Sequence, residues 1–96
     1  MHFEWDKAKS RANAKKHGVT FEEASSVFYE ESAILFGDPQ HSGEEERFLL
    51  LGPSSRDRLL VVAHCCREGG EVLRIISARE ATRREKEAFR EQGGDQ

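Results

Sequence analysis

The 96 residues of the chain leave room for one hydrophobic core and exclude a second domain. The content of 34% charged and 36% hydrophobic residues is typical of a small globular protein, and no apolar run approaches the ~20 residues of a membrane span. A net charge of −3 argues against indiscriminate DNA coating, and an N-terminus without a basic-then-apolar signal predicts a cytoplasmic location.

The N-terminal part predicts a short extended segment followed by a helix. Residues 2–5 are long enough only for an edge strand or a clasp. Asp6 is placed to cap a helix over residues 7–16, with Ala8 and Ala12 on its inner stripe. The His-Gly pair that follows ends this helix, because glycine readily takes the left-handed conformation found just past a helix C-terminus.

A second helix begins directly after the first, which predicts a helix hairpin. Thr20 as N-cap with Glu23 three residues later matches a capping box, in which each side chain bonds the backbone N–H of the other residue. Phe21, Ala24, Val27 and Phe28 recur at helical spacing and are expected to form its apolar face.

Four apolar runs then predict four strands: "SAILFG", "RFLLLG", "LLVVAHCCR" and "EVLRIISAR", separated by "GDPQHSG", "PSSRDR" and "EGG". Connections this short exclude crossover helices, so we expect an antiparallel meander. A second capping box at residues 82–85 predicts a C-terminal helix to about Glu91, and residues 93–96 form a frayed tail. The fold class is therefore α+β, with two N-terminal helices, a four-stranded antiparallel sheet with a possible leading strand, and a C-terminal helix.

The strands are apolar on both faces, so each face needs a cover. The helix hairpin can cover one face, and the C-terminal helix, a ligand or a partner must cover the other. A two-residue "GG" loop would pair His64 with Ile75, and a four-residue loop before the third strand would add Arg47 to the same side. That side would then carry Arg47, His64, Ser77 and Arg79, and a one-residue slip in either turn would invert part of the set.

Three stretches together resemble the BrnT family of ribonuclease toxins of bacterial type II toxin–antitoxin systems. They are "FEWDKAKSRANAKKHGVTFEEASSVF", "DPQHSGEEERFLLLG" and "RIISAREATRREKEAF", and the likeness spans Phe3 to about Phe89. The resemblance implies a compact RelE-like fold, RNA cleavage and neutralisation by a BrnA-type antitoxin, with operator DNA contacted only through that antitoxin. Relatives commonly read H-T-x-R where this chain has His64-Cys65-Cys66-Arg67, which is a departure from the pattern.

A ribonuclease of this kind needs no metal, because the RNA 2′-hydroxyl attacks its own phosphate and the protein moves protons and stabilises charge. We expect Arg47, Arg67 and Arg79 to stabilise the phosphate, since the guanidinium fork donates two hydrogen bonds at once. His64 is the candidate for proton transfer. The alternatives are glutamate ion pairs for the arginines and a buried, hydrogen-bonded role for the histidine.

Lys16, His17 and Ser77 are candidate RNA-binding residues, although His17 also suits a simple helix C-cap. No cofactor is expected. No metal site is expected either, because His41 with the adjacent glutamates lacks distributed ligands. The two adjacent cysteines predict buried free thiols and no structural disulfide or zinc site.

A second function class stays open: a degenerate, non-catalytic toxin that docks its antitoxin and helps it to repress DNA. The apolar sheet face predicts that the free chain forms homo-oligomers or is held in a hetero-oligomer by an antitoxin helix. Trp5 either stacks on an RNA base or packs as a clasp against the helix hairpin.

Overall fold

The computed structural model describes residues 1–42 and 46–93, without the side chains of residues 39–42. The predicted order of elements is confirmed, with the leading strand present. The strands are β1 (His2–Glu4), β2 (Ile34–Ser42), β3 (Glu46–Pro53), β4 (Leu59–Arg67) and β5 (Val72–Glu80). The helices are α1 (Lys7–His17), α2 (Phe21–Ser26) and α3 (Arg83–Glu91), with 3-10 turns at Val27–Tyr29 and Glu68–Gly70. None of these helices is both long and apolar enough to span a lipid bilayer.

The strands of the described residues form one sheet in the order β1-β5-β4-β3-β2. Strands β2 to β5 are antiparallel neighbours, as predicted, whereas β1 pairs with β5 in parallel. The predicted four-stranded antiparallel sheet is therefore a mixed five-stranded one. Parallel pairing is possible because the helix hairpin and the meander, not a tight turn, separate β1 from β5 along the chain.

One side of the sheet, which we call the covered face, packs against the helix hairpin and holds the main core. As predicted, Phe21, Ala24 and Val27 are buried there. They pack against strand residues of β3, β4 and β5, namely Leu50, Leu60, Val62, Ile75 and Ala78. The chain after α2 approaches β3 closely at Gly52, where a Cβ would lie 2.8 Å from the Cβ of Ala33. A side chain there would push the two layers apart.

Among the described residues, helix α3 covers part of the opposite side of the sheet. Phe89 is buried in a second, smaller cluster with Leu51, Val61 and Ala81. The Ala81 N–H donates to the carbonyl of Leu59 at 2.9 Å, which fixes the chain where it leaves β5 and enters α3. Helix α3 is thus anchored by one aromatic side chain and by contacts at its first turn.

Helix α1 has the predicted caps but not the predicted inner face. Its N-cap Asp6 accepts a backbone N–H, and Gly18 takes the left-handed conformation at its end. Ala8 and Ala12 are exposed, so the predicted inner stripe is wrong, and the buried residue is Asn13. The Asn13 amide donates to the carbonyls of Val19 and Ala78 at 2.9 and 2.8 Å, and its oxygen accepts the Ala78 N–H. An amide therefore tethers this polar helix to the edge of β5.

The predicted capping box of α2 is only half formed. The Thr20 hydroxyl accepts the Glu23 N–H at 3.0 Å, as expected. The Glu23 carboxylate does not return to the Thr20 backbone, and instead accepts hydrogen bonds from Ser54 and Arg58 at 2.6–2.8 Å. A tertiary partner has replaced the local one, because the β3–β4 loop folds over this end of the helix.

The turns between strands differ from the predictions. Strand β2 continues through residues 37–42 of the predicted turn, and residues 43–45, which separate β2 from β3 along the chain, lie outside the described part. Pro53 pairs with Leu59, so the next loop spans residues 54–58 and is one residue longer than predicted. The last connection is a 3-10 turn with Gly69 in the left-handed region, and not a two-residue primed turn.

Candidate active site

Four arginines project from the side of the sheet opposite the helix hairpin. Backbone pairing places Arg47 and Arg74 on either side of Cys65, and Arg79 beside Val61. Alternate residues of β4 point to one side, so these positions share a side of the sheet. We call this surface the arginine face, and its arginines are Arg47, Arg67, Arg74 and Arg79. The three arginines predicted for the site therefore lie on one side of the molecule.

Two one-residue shifts decide which predicted side chains share this face. The predicted pairing of His64 with Ile75 is confirmed, but a bulge beyond it moves Ser77 and Arg79 to the opposite side from His64. The β3–β4 loop, one residue longer than predicted, moves Arg47 to that side as well. Arg47, Ser77 and Arg79 share a face as predicted, and the prediction that His64 joins them is wrong.

His64 is a buried group of the covered face. It is only 2% exposed, and its ring meets Phe28 and Phe48 at centroid distances of 4.7 and 6.0 Å. Its Nδ1 lies 3.2 Å from the carbonyl oxygen of Val62. Burial lowers the pKa of His64, which favours the neutral imidazole. This position corresponds to the alternative reading, a core histidine satisfied by a hydrogen bond.

A carboxylate of β1 joins two arginines of the face. Arg74 Nη1 donates to Glu4 Oε2 at 3.0 Å, and Arg67 Nη1 lies 3.8 Å from Glu4 Oε1. All three side chains are partly exposed. The sequence interpretation missed Glu4 and Arg74, because nothing in a three-residue segment indicates that it pairs in parallel with a strand some 70 positions later. Within residues 1–42 and 46–93, Arg47 forms no ion pair.

Arg79 is held by a carboxylate at the start of α3. Its Nη1 and Nη2 donate to the two oxygens of Glu85 at 2.7 and 2.9 Å, and Nη1 also donates to the Glu80 carbonyl at 3.2 Å. Glu85 Oε1 also accepts the Thr82 N–H, which completes the predicted second capping box. Chiefly through the Arg79 bonds, the pKa of Glu85 is lowered to about 2, and Glu85 in turn raises the pKa of Arg79. Both groups are therefore charged at neutral pH.

A groove of about 220 Å³ between α1 and β5 brings together the residues predicted to bind RNA. Lys16, His17 and Ser77 all line it, together with Lys9 and Asn13. Helix α1 contains no acidic residue, so its surface is basic although the whole chain has a net charge of −3. Ser77 pairs with Ala63 and so also lies on the arginine face, where the groove and that face meet.

The remaining residues singled out in the sequence are Trp5, His41 and the two cysteines. Trp5 packs edge-on against Phe21 at a centroid distance of 5.9 Å, which fits the clasp interpretation. The His41 side chain lies outside the described part of the chain. Cys65 is buried as predicted and is not in a disulfide, whereas Cys66 is exposed, so its predicted burial is wrong. Within residues 1–42 and 46–93, no three His, Cys, Asp or Glu side chains are grouped to hold a metal ion.

Comparisons with known proteins bear on the chain as a whole. The family described as "Ribonuclease toxin, BrnT, of type II toxin-antitoxin system" matches residues 5–85. The chain is similar to the crystal structure of the Brucella abortus ribonuclease toxin BrnT, with 27% identity and a TM-score of 0.65. That similarity covers 86% of this chain and 99% of the Brucella chain. No curated protein matches the chain.

Proposed function

Because the chain belongs to the BrnT family of ribonuclease toxins of type II toxin–antitoxin systems, we propose that it is an endoribonuclease that cleaves RNA without a metal ion and thereby inhibits translation and growth. The observation that carries this proposal is the arginine face, on which Arg47, Arg67 and Arg79 lie on three neighbouring strands. Rigid strands hold these side chains more firmly than loops would.

The arginines suit the part of the reaction that needs positive charge. In this reaction the 2′-oxygen forms a bond to phosphorus as the P–O5′ bond breaks, the 2′-hydroxyl gives up its proton to water, and the departing 5′-oxygen takes a proton from water. Negative charge builds up on the phosphate oxygens during this step, and guanidinium groups already in place stabilise that charge without reorganising. Arginines supplying this charge make a metal ion unnecessary. His64 is left out of the proposed reaction, because two phenylalanine rings and the sheet enclose it on the other face.

The groove between α1 and β5 is the proposed track for RNA on either side of the cleaved bond. Lys16 and His17 offer donors to phosphates, and Ser77 sits where the groove opens onto the arginine face. A basic helix on an acidic protein concentrates the attraction for RNA on one side of the molecule. Such contacts would be screened by salt, as phosphate contacts generally are.

The proposed partner is a BrnA-type antitoxin that neutralises the toxin in the cytoplasm and contacts operator DNA on behalf of the complex. Phe36 is 37% exposed and lies opposite Leu49 on the arginine face, so an apolar anchor adjoins the arginines. A segment with apolar and acidic side chains could cover both and so block RNA. A hetero-oligomer of toxin and antitoxin is the expected assembly.

The second candidate is a non-catalytic toxin that acts only as an antitoxin-binding co-repressor. The ion pairs of Arg67, Arg74 and Arg79 with carboxylates favour it, since they match the structural alternative for these arginines. Purified protein incubated with defined RNA, free in the presence of EDTA and, separately, on translating ribosomes in magnesium buffer, separates the two candidates. Cleavage that leaves 2′,3′-cyclic phosphate ends supports the ribonuclease. If protein that is folded and binds the antitoxin leaves the RNA intact, the result contradicts the ribonuclease function.

A further inference from the structure

If Arg79 stabilises the scissile phosphate, as proposed above, the way its guanidinium is held bears directly on the reaction. An arginine side chain has five N–H donors in one plane. In Arg79 three of them are engaged: Nη1 donates to the Glu80 carbonyl and to Glu85 Oε1, and Nη2 donates to Glu85 Oε2. Glu85 thus occupies the edge of the guanidinium that Nη1 and Nη2 form.

The second edge of the same guanidinium is open. It is formed by Nε–H and the remaining Nη2–H, and neither has an acceptor within residues 1–42 and 46–93. The Arg79 side chain is 40% exposed, so part of it is in contact with solvent. Two parallel N–H groups are what a phosphate accepts in a bidentate contact. Arg79 can therefore bind a phosphate without releasing Glu85.

Glu85 is itself fixed to the backbone. Its Oε1 also accepts the Thr82 N–H at 2.8 Å, and the Thr82 hydroxyl accepts the Glu85 N–H at 3.1 Å. These reciprocal bonds tie the carboxylate to the first turn of α3. A carboxylate that is anchored in this way and meets the guanidinium with both oxygens sets the plane and the direction of that group.

We propose that Glu85 is a positioning residue of the ribonuclease site, which holds the Arg79 guanidinium so that its Nε/Nη2 edge faces the scissile phosphate. Glu85 does not touch RNA in this arrangement. It determines where the positive charge of Arg79 lies when the reaction begins. A misdirected guanidinium would still attract RNA, but it would stabilise the crowded phosphate less well.

Glu85→Gln is the variant that separates positioning from helix capping. The glutamine oxygen can still accept the Thr82 N–H, because glutamine also completes a capping box. Its NH₂ group, however, would face an Arg79 donor and cannot replace the second carboxylate oxygen. The matched control is Glu87→Gln on the same helix, which removes an ion pair with Arg83 that is 3.7 Å long and largely exposed.

The experiment compares RNA affinity and single-turnover cleavage of a defined RNA for wild type, Glu85→Gln and Glu87→Gln. We expect Glu85→Gln to slow cleavage at saturating protein by about tenfold or more, with RNA bound no more weakly than by wild type. Glu87→Gln should match wild type in both measurements. If Glu85 had only a structural role, Glu85→Gln would not lower the cleavage rate while leaving the RNA affinity unchanged.

The same comparison repeated in an Arg79→Ala background completes a double-mutant cycle of Glu85 and Arg79. The slow residual cleavage should then be insensitive to Glu85→Gln, because the group that Glu85 positions is absent. Unchanged cleavage by Glu85→Gln overturns the proposal, since Glu85 would then have no influence on Arg79 in the reaction. Faster cleavage with tighter RNA binding also overturns it, since Glu85 would then compete with the phosphate for Arg79. Wild type that leaves RNA intact overturns the ribonuclease function itself.

Discussion

The starts of α2 and α3 share the signature Thr-x-x-Glu, yet their glutamates have different partners. At α2, the Glu23 carboxylate is buried and accepts hydrogen bonds from Ser54 and Arg58 of the β3–β4 loop. At α3, the Glu85 carboxylate is partly exposed, returns to the Thr82 N–H and binds Arg79. Each glutamate meets an arginine with both oxygens, but only the second pair faces the open side of the sheet.

The difference shows how one local motif serves two purposes. At α2 the arriving loop encloses the carboxylate, so its ion pair joins the helix hairpin to the sheet. At α3 nothing in residues 1–42 or 46–93 closes over the pair, and Arg79 keeps donors for another acceptor. The first pair is expected to matter for stability and the second for activity, and the predictions below test this contrast.

The largest expected effect is on activity. Arg79→Ala should lower the rate of RNA cleavage by about 100- to 1,000-fold, because it removes a preorganised donor for the phosphate. Arg58→Ala, the equivalent change at the α2 pair, should cost stability but leave the rate per folded molecule unchanged. Cleavage assays on both variants, normalised to the folded fraction from circular dichroism, check this. Equal losses of rate in the two would contradict the contrast.

Glu23→Ala should have the largest effect on stability. It leaves Arg58 and Ser54 without their acceptor, and removing one partner of an enclosed pair costs about 3 kcal/mol in the free energy of unfolding. Urea denaturation measures this loss. Glu22→Ala is the control, since Glu22 is the exposed neighbour on the same turn and should change stability by less than about 0.5 kcal/mol. Similar values for the two variants would show that the buried pair contributes little.

Acid should weaken both pairs, and the sign follows from the pKa directions. Arg58 lowers the pKa of Glu23, and Arg79 lowers the pKa of Glu85 from its ordinary value of 4.5 to about 2. Between pH 4.5 and pH 2 the unfolded chain therefore binds more protons at Glu85 than the folded chain does. Stability falls as the pH falls through this window.

Glu85→Gln should remove its share of that pH dependence. The variant is expected to be less stable than wild type above pH 4.5 and to approach it near pH 2, where Glu85 of the wild type is half protonated. Urea denaturation of both proteins at several pH values measures the difference. A constant difference across the whole range would show that the carboxylate charge of Glu85 does not stabilise the fold.

What the sequence could predict depends on how far apart the partners lie along the chain. Asp6, Gly18 and the Thr82–Glu85 box act on neighbouring backbone groups, and local pattern was enough to identify them. Glu23 carries the same signal as Glu85, but its carboxylate bonds a residue 35 positions away. No local pattern indicates that a tertiary partner will displace the local one.

The candidate site shows the same limit at the level of the sheet. The sequence identified Arg47, Arg67 and Arg79 as strand arginines. Arg47 and Arg79 still share a side of the sheet, as predicted, because each was moved to the other side by a one-residue shift. The same shifts separated them from His64. A bulge and one extra loop residue are small local events that the hydrophobic pattern does not reveal, yet each inverts every side chain beyond it.

The smallest expected effects concern the two capping hydroxyls. Thr20→Ala and Thr82→Ala each remove one hydrogen bond to the third helical N–H, at 3.0 and 3.1 Å, and should each cost about 1 kcal/mol. The location of the loss should differ. Helix α2 belongs to the main core, so Thr20→Ala should lower amide protection throughout the sheet.

Helix α3, in contrast, is anchored by Phe89, by its first turn and by Arg79, so it can open without unfolding the sheet. Thr82→Ala should therefore raise amide hydrogen exchange in α3 and leave the central strands as protected as in wild type. Native-state hydrogen exchange distinguishes the two patterns. If Thr82→Ala instead loosened every strand equally, α3 would be an integral part of the folding unit, and the stability contrast between the two Thr-x-x-Glu sites would be lost.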